Sequence, residues 1–311
     1  MKKYLVLDSG GTAVKLALMN EKADTLLTRE YGAPTASLEA MLDFAKTLAA
    51  EFRGEYSGVA VSMPGVINTA RGIAHTASPY NCPADTPLAA LYSDIFAAPV
   101  TLGNDGKCAV NAELHMGALK GVKSGAVVAL GTGIAGGIVI DGRVWTGTRG
   151  AAGELSFFLR DHDLLLRAAE CASEDLFYEA SWEYRASTTG LLRRYRKMKG
   201  LSADAPLTGR SFFEAYDAGD ACAVQALDAF AADVAAGIFS LQFALDAERY
   251  AIGGGISSRS EVTEKIRRSY QRIHEALGGF TLPEIVPCHY KNGANQIGAL
   301  MFHLEKEKAN G

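Results

Sequence analysis

Several features that would define a function at once are scarce or missing from this chain of 311 residues. Its five cysteines, at positions 82, 108, 171, 222 and 288, are odd in number and scattered. That spacing makes no disulfide framework, zinc knuckle or paired redox motif, so they read as reduced and structural. The six histidines form no His-Glu-x-x-His or comparable cluster, and none is assigned to a metal. Positive charge is not in excess: the formal net charge is −4 at pH 7. Duplex nucleic acid or a membrane surface would call for a basic face instead. The longest uncharged apolar run, Ala126–Ile140, is broken by glycines and falls short of the roughly 20 residues that span a bilayer. Lys2-Lys3 precedes only a brief apolar stretch before Asp8, too short for a signal-peptide core. The expectation is a cytoplasmic metabolic protein, with neither nucleic acid nor membrane as partner.

What the chain does have is glycine, placed in turns. Asp8-Ser9-Gly10-Gly11-Thr12 lies between Tyr4–Leu7 and Val14–Met19, two β-prone runs too close together for a helix between them. Gly131-Thr132-Gly133-Ile134-Ala135-Gly136-Gly137 separates Ala126–Leu130 from Ile138–Ile140 in the same way, and Asp141-Gly142 then signals a further hairpin. Glycines here let backbone N–H groups converge on an anion, and Thr12 and Thr132 add hydroxyl donors. No Gly-Lys-Ser/Thr closes a P-loop, and a strand rather than a helix follows each turn, which excludes the dinucleotide fingerprint. Either turn alone would be an ordinary hairpin; as a pair they suit a phosphate gripped from two sides. A third cluster, Gly253-Gly254-Gly255 with Ile256, follows the β-like Arg249–Ile252. It suits close backbone approach to a flat ligand such as a nucleoside, the alternative being a flexible loop.

The length predicts two domains. After the first hairpin, Leu38 to Phe52 has the apolar period of a helix, Val59–Val61 reads as a buried strand, Leu88–Phe96 as a helix, Pro99–Leu102 as a strand and Asp105 to about Ala118 as a helix. The first domain is thus 1–117 and the second 118–297, with a last helix, 298–311 within a segment starting near Gly293, crossing back to complete the first. In the second domain Leu227, Phe230, Val234, Ile238, Leu241 and Leu245 keep helical spacing as a core stripe. The basic run Arg193–Lys197 reads as a solvated helix face.

Asn104-Asp105 stands at a strand end before a helix. Either residue could serve as an N-cap; facing phosphate loops across a cleft, Asp105 could equally take a proton from an attacking hydroxyl. Asp8, beside the phosphates, would be repelled by them unless a cation intervened, which implies Mg²⁺ held directly or through water. Lys15 reaches either phosphates or solvent. Gly150-Ala151-Ala152-Gly153-Glu154 would present one carboxylate, and Glu154, Asn104 and Asn81 are candidates for gripping sugar hydroxyls. For Glu154 the alternative is a plain surface acid.

At these residues the chain resembles the ROK family of repressors and sugar kinases. The resemblance rests on Asp8–Thr12 with Lys15, Met63-Pro64-Gly65, Asn104-Asp105 with Glu113, Leu130–Gly133, Gly150–Glu154 and Gly253–Ile256. It implies an α/β protein of the actin-like (ribonuclease-H-like) ATPase fold, with two domains around a cleft. By position it implies ATP phosphates at Gly10, Gly11, Thr12, Lys15, Gly131, Thr132 and Gly133, and adenosine near Gly254, Gly255 and Ile256. It also implies Asp105 as base, and hexose hydroxyls at Gly65, Asn104, Asp105 and Glu154, with Asn81 a looser match. A homodimer is implied as well. Ser156 and Phe157 stand where most family kinases have glycine and histidine, and the cysteine-rich zinc loop is absent, so no zinc site is expected. The stretch Trp182–Leu192, with Leu207-Thr208-Gly209 and Tyr216–Asp220, is similar instead to the zinc-free β-glucoside kinase branch, which phosphorylates the 6-hydroxyl of the nonreducing glucose of disaccharides. Repressors of the family carry a winged-helix segment in front; here the first strand begins at Lys3, and a kinase is expected over a sugar-sensing regulator or a non-catalytic sugar-binding protein.

Overall fold

The structure, a computed structural model, describes residues 1–202, 204–290 and 293–310. Gly311, the last residue of the expected closing helix, lies outside them. The first hairpin forms as its pattern predicts: β1 (Lys3–Ser9) runs antiparallel to β2 (Ala13–Asn20), with Asp8 opposite Lys15. Next come β3 (Thr25–Gly32), α1 (Leu38–Glu51), β4 (Gly58–Met63), the short pair β5 (Ile67–Asn68) and β6 (Ile73–Ala74), α2 (Leu88–Phe96), β7 (Val100–Asn104) and α3 (Asp105–Met116). Then follow β8 (Gly125–Leu130), β9 (Ile134–Ile140), β10 (Arg143–Trp145) and a 3₁₀ turn over Leu155–Phe157. The helices α4 (His162–Cys171), α5 (Glu174–Ala180), α6 (Glu183–Ala186), α7 (Thr188–Lys199), α8 (Gly209–Asp217) and α9 (Ala221–Leu245) precede β11 (Arg249–Gly253). The described chain closes with α10 (Ser260–Leu277), β12 (Glu284–Pro287) and α11 (Ala294–Asn310).

Two compact units result, residues 1–121, 143–153 and 292–311 in one, and 122–142 and 154–291 in the other. The first unit therefore also takes in 143–153, which the sequence reading gave to the second. In the first unit the sheet order is β3-β2-β1-β4-β7. Alternation along β1 sends Leu5 and Leu7 to a core shared with α1 and α2, while Tyr4 and Val6 face a second core with Cys108 of α3 and Ala299 and Leu300 of α11. Both faces of this sheet are thus covered. The strand β3 has no counterpart in the sequence reading. It is an edge strand whose residues are mostly exposed and carry Arg29 and Glu30, so no apolar alternation announces it.

In the second unit β9, β8, β11 and β12 lie in that order, and Val128, Leu130, Tyr250 and Ile252 share a core with Leu227, Phe230, Val234 and Ile238 of α9. Fully burying each such side chain contributes about 1.5–3 kcal/mol. Among the described residues α9 is the one helix with the length and apolarity of a membrane span, and its apolar stripe is spent on this core. The second glycine-rich turn is shorter than its sequence suggests: Ile134-Ala135-Gly136-Gly137 already pair with β8, leaving Gly131-Thr132-Gly133 as the turn. Asp141 and Gly142 take positive φ, 53° and 71°, as a two-residue reversal requires.

Within α11, His303 is buried, with Nδ1 beside Thr101 Oγ1 at 3.1 Å and Nε2 without a hydrogen-bond partner. Burial lowers its pKa from 6.5, against a smaller upward pull from Glu307; Lys306 and Lys2 push down as well. The imidazole is neutral in the fold and gains a proton more readily when unfolded. Its contribution to stability is present above about pH 6.5, the unfolded value, and is lost as pH falls through that value toward the lower folded pKa. Urea midpoints measured at pH 7.5 and 5.5 are expected to fall with acidification, and to fall less steeply in His303→Asn.

Candidate active site

The elements that carry the glycine turns place the predicted residues in two groups. Asp8, Gly10, Gly11, Thr12, Lys15, Gly65, Asn81, Asn104 and Asp105 lie in the first unit; Gly131, Thr132, Gly133, Glu154, Gly254, Gly255 and Ile256 lie in the second.

In the first unit, Asp8 ends the buried part of β1, where neighbouring elements hold its carboxylate. Ser62 of β4 donates to Asp8 Oδ1 at 3.3 Å, and Asn295 of α11 donates to the same oxygen at 3.1 Å. The following turn is closed by Gly10 N–H donating to the Ala13 carbonyl at 2.9 Å and pinned by Tyr80 Oη donating to the Gly10 carbonyl at 2.8 Å. Burial raises the Tyr80 pKa, which keeps this donor protonated. Gly11 lies against Pro79, where a Cβ would press on the ring. Gln296 fixes the backbone of the exposed Lys15 by donating to its carbonyl at 3.0 Å. Ser62, Tyr80, Asn295 and Gln296 support the loop, and no local pattern in the sequence marks them, because each acts across the fold.

At the end of β7 the cap falls to one residue of Asn104-Asp105. Asn104 is the N-cap: its Oδ1 accepts from Lys107 N–H at 3.0 Å. Its amide donates to the Gly65 carbonyl at 2.9 Å and to Asp105 Oδ1 at 3.0 Å. Asp105, the first residue of α3 and half-buried, is therefore oriented from the side by a residue that also caps the helix. Its carboxylate lies in the first turn of α3, at the positive end of the helix dipole. Gly65 is at φ +104°, and a Cβ there would collide with the Thr76 carbonyl. The structure thus joins Gly65, Asn104 and Asp105. Asn81 is exposed and directs its bonds to the loop before α1, its amide to the Ala36 carbonyl at 3.1 Å and its N–H to the Thr35 carbonyl at 2.9 Å. Lys107 is buried within the first turns of α3, and Glu113 accepts from Ala118 N–H at 2.6 Å at that helix's other end.

In the second unit, Gly131 N–H donates to the Gly133 carbonyl at 3.0 Å, and the Gly131 carbonyl accepts from Thr188 N–H at 2.8 Å. Gly254, at φ +85°, passes so close to the backbone of Leu130 that a Cβ would overlap it. That contact brings the second and third glycine clusters together as two walls of a cavity of about 730 Å³, within the range of small-molecule sites. Gly131, Thr132, Gly255 and Ile256 line it together with Thr188, Arg210, Phe213 and Arg259. The Arg259 guanidinium stands 4.8 Å over the Phe213 ring and is held by Asp217 at 2.9 Å and by Glu261. The hydrogen bond from Arg259 holds Asp217 below the usual carboxylate range. Thr188, Arg210 and Phe213 come from helices and Arg259 from the residue before α10, and no local pattern in the sequence marks them as cavity lining. Glu154, half-buried, precedes the 3₁₀ turn; there Ser156 Oγ donates to the Ile134 carbonyl at 2.8 Å, and Phe157 is 59% exposed.

Among the described residues no group of three or more His, Cys, Asp or Glu side chains could hold a metal ion. Mg²⁺ does not require one, since it is commonly held by one or two carboxylates together with phosphate oxygens and water. The hard, anchored carboxylate of Asp8 fits that donor set.

Two sheets, each opening on an antiparallel hairpin with a glycine-rich turn and continuing in parallel strands, define the actin-like, ribonuclease-H-like ATPase fold. The structure superposes on a ROK family protein from Streptococcus pneumoniae TIGR4, solved in complex with sucrose, with a TM-score of 0.82, 26% identity and 99% of each chain covered. In sequence it is 26% identical over 307 residues to a β-glucoside kinase of Listeria monocytogenes, covering 98% of each chain. It is 27% identical over 294 residues to a glucokinase of Halalkalibacterium halodurans, covering 91% of this chain and 87% of that one. The chain belongs to the ROK family, which residues 4–306 match.

Proposed function

We propose that this protein transfers the γ-phosphoryl group of ATP to the primary 6-hydroxyl of a sugar, with a β-glucoside as the preferred acceptor over a free hexose. It is an ATP-dependent carbohydrate kinase. The observation that carries the reading is the Asn104–Asp105 pair: Asn104 caps α3, and its amide orients the Asp105 carboxylate at the strand end. Asp105 takes the proton of the 6-hydroxyl as the oxygen attacks phosphorus in line; the bond to the leaving ADP oxygen breaks, and the proton stays on the carboxylate. N–H groups of Gly11 and Gly133 and the hydroxyls of Thr12 and Thr132 serve as donors to the phosphates, with Lys15 reaching for them; Gly10 and Gly131, whose N–H groups close the two turns, hold those donors in place. The cavity beside Gly254, Gly255 and Ile256 receives the nucleoside. Glu154, Asn104, Gly65 and Asn81 position the sugar hydroxyls. Asp8 would hold Mg²⁺, directly or through water, and the ion would supply charge neutralisation on the phosphates.

The β-glucoside preference is supported by the likeness to the Listeria monocytogenes β-glucoside kinase and by Phe157, an exposed aromatic where most of the family has a sugar-contacting histidine. The protein is further proposed to be cytoplasmic and homodimeric, as is implied by its family.

The test is a coupled ADP-release assay with Mg·ATP across glucose, fructose, N-acetylmannosamine, cellobiose and gentiobiose. Turnover of the two disaccharides well above the free hexoses is the expected result. Preference for a free hexose would move the acceptor to that class, and sugar binding without any turnover would replace the kinase reading by a sugar sensor.

A further inference from the structure

The basic run Arg193–Lys197 divides in the fold. Tyr195 is buried, its hydroxyl donating to Asp220 at 3.3 Å, and Arg196 donates to the Ala205 carbonyl at 3.1 Å. Arg193, Arg194 and Lys197 instead turn into a groove of about 390 Å³ that they share with Arg185, Tyr184 and Glu179. Its size is within the range of small-ligand sites. Four cations face one acid there, in a chain whose net charge is −4.

Of the four cations, only Arg194 makes an ion pair among the described residues. Arg193 lies 3.5 Å over the Tyr184 ring and 5.8 Å from that of Tyr178, and it donates to the Tyr184 carbonyl, so its plane is fixed. Arg194 spends Nη2 on Asp233, while its Nη1 is buried with no hydrogen-bond partner. Arg185 and Lys197 make no ion pair among the described residues. Gly190 lets α6 and α7 close on each other, since a Cβ would strike the Tyr184 and Arg185 carbonyls. Planar guanidinium forks beside a lysine match the tetrahedrally arranged oxygens of a phosphate dianion.

We infer that this groove binds phosphate-bearing small molecules at a site separate from the phosphate turns of the active site. The helix that carries it also bears on the nucleotide cavity. Thr188, Thr189 and Leu192 line that cavity, and Gly190, Arg193, Arg194 and Lys197, on the opposite side of the same helix, line the groove. Anion binding therefore shifts nucleotide affinity through α7. Only this coupling rests on the nucleotide reading; the site does not.

The test is calorimetric titration of inorganic phosphate at constant ionic strength, with the phosphate turns occupied by saturating Mg·AMPPNP. One saturable site is expected, with a Kd raised at least about tenfold in Arg185→Ala/Lys197→Ala, two exposed positions whose loss leaves the core intact; Lys197→Glu should weaken it further. No saturable heat, or an unchanged Kd in both variants, overturns the site. In a second titration, phosphate is expected to change the Kd of AMPPNP in the wild-type protein and not in the double variant; an unchanged Kd in the wild type overturns the coupling. Failure of AMPPNP to bind at all would count against the nucleotide cavity and leave the phosphate titration, then run without it, to be judged by the variants.

Discussion

Asp105→Asn is expected to lower kcat by about 10²–10⁴-fold, the usual contribution of a positioned general base, while the KM for sugar changes by no more than a few-fold. The substitution is informative because asparagine keeps an oxygen that can accept the two bonds made by Asp105 Oδ1. Asp105 Oδ1 accepts from Asn104 Nδ2 at 3.0 Å and from Gly106 N–H at 2.8 Å, and a carboxamide oxygen accepts both. The helix cap is provided by Asn104 and is untouched. What disappears is the basic carboxylate, since an amide takes no proton from a hydroxyl near neutral pH. Steady-state kinetics with an unchanged urea midpoint would locate the loss in the chemical step. Retained turnover would move the base to another residue, and a fall in both stability and sugar affinity would make Asp105 a structural residue after all.

The second large effect is expected far from any ligand. Gly298 lies in α11 where that helix meets α3, and a Cβ there would run into the Cys108 carbonyl, with Asn111 Nδ2 donating to the Gly298 carbonyl at 3.2 Å. Both sides of the contact are closed, Cys108 and Leu300 being fully buried. Gly298→Val must therefore push the two helices apart or bend one of them. Overpacking of this kind costs about 3 kcal/mol or somewhat more, which lowers the unfolding temperature by roughly 6–12 °C at about 2–4 °C per kcal/mol. Gly32→Ala is the control: nothing lies within 4 Å of a Cβ there and its φ is ordinary, so its unfolding temperature should stay near that of the wild type. Scanning calorimetry of both variants decides the matter, and equal transitions would mean that α3 and α11 are not packed as described. Because α11 also supplies Asn295 to Asp8, some loss of activity is expected alongside the loss of stability.

The division between what was legible and what was not follows the range of each interaction. The hairpin of β1 and β2, the apolar stripe of α9 and the three glycine clusters were readable because alternation, helical period and tolerance of positive φ belong to short stretches of chain. Other features need partners from elsewhere. Asn104 and Asp105 are equally good caps by composition, and the choice between them is made by the Gly65 carbonyl, which engages the Asn104 amide. The seven-residue glycine turn shrank to three because β8 continues pairing through Gly136 and Gly137. Thr188, Arg210, Phe213 and Arg259 became cavity walls only when α7, α8 and the start of α10 packed beside Gly131 and Ile256.

By itself, then, the sequence determined an α/β chain of the ROK family, the turns that suit phosphate, and Asp105 as the residue to test. Local propensity, hydrophobic period and the sterics of glycine are properties of neighbouring residues, and they survive in a linear reading. The tertiary structure alone decided that Gly298 must lack a side chain, that the run Arg193–Lys197 splits between core and groove, and that Ser62 and Asn295 hold Asp8. Those outcomes depend on close packing and on satisfying buried polar groups, and both bring together residues that are distant along the chain.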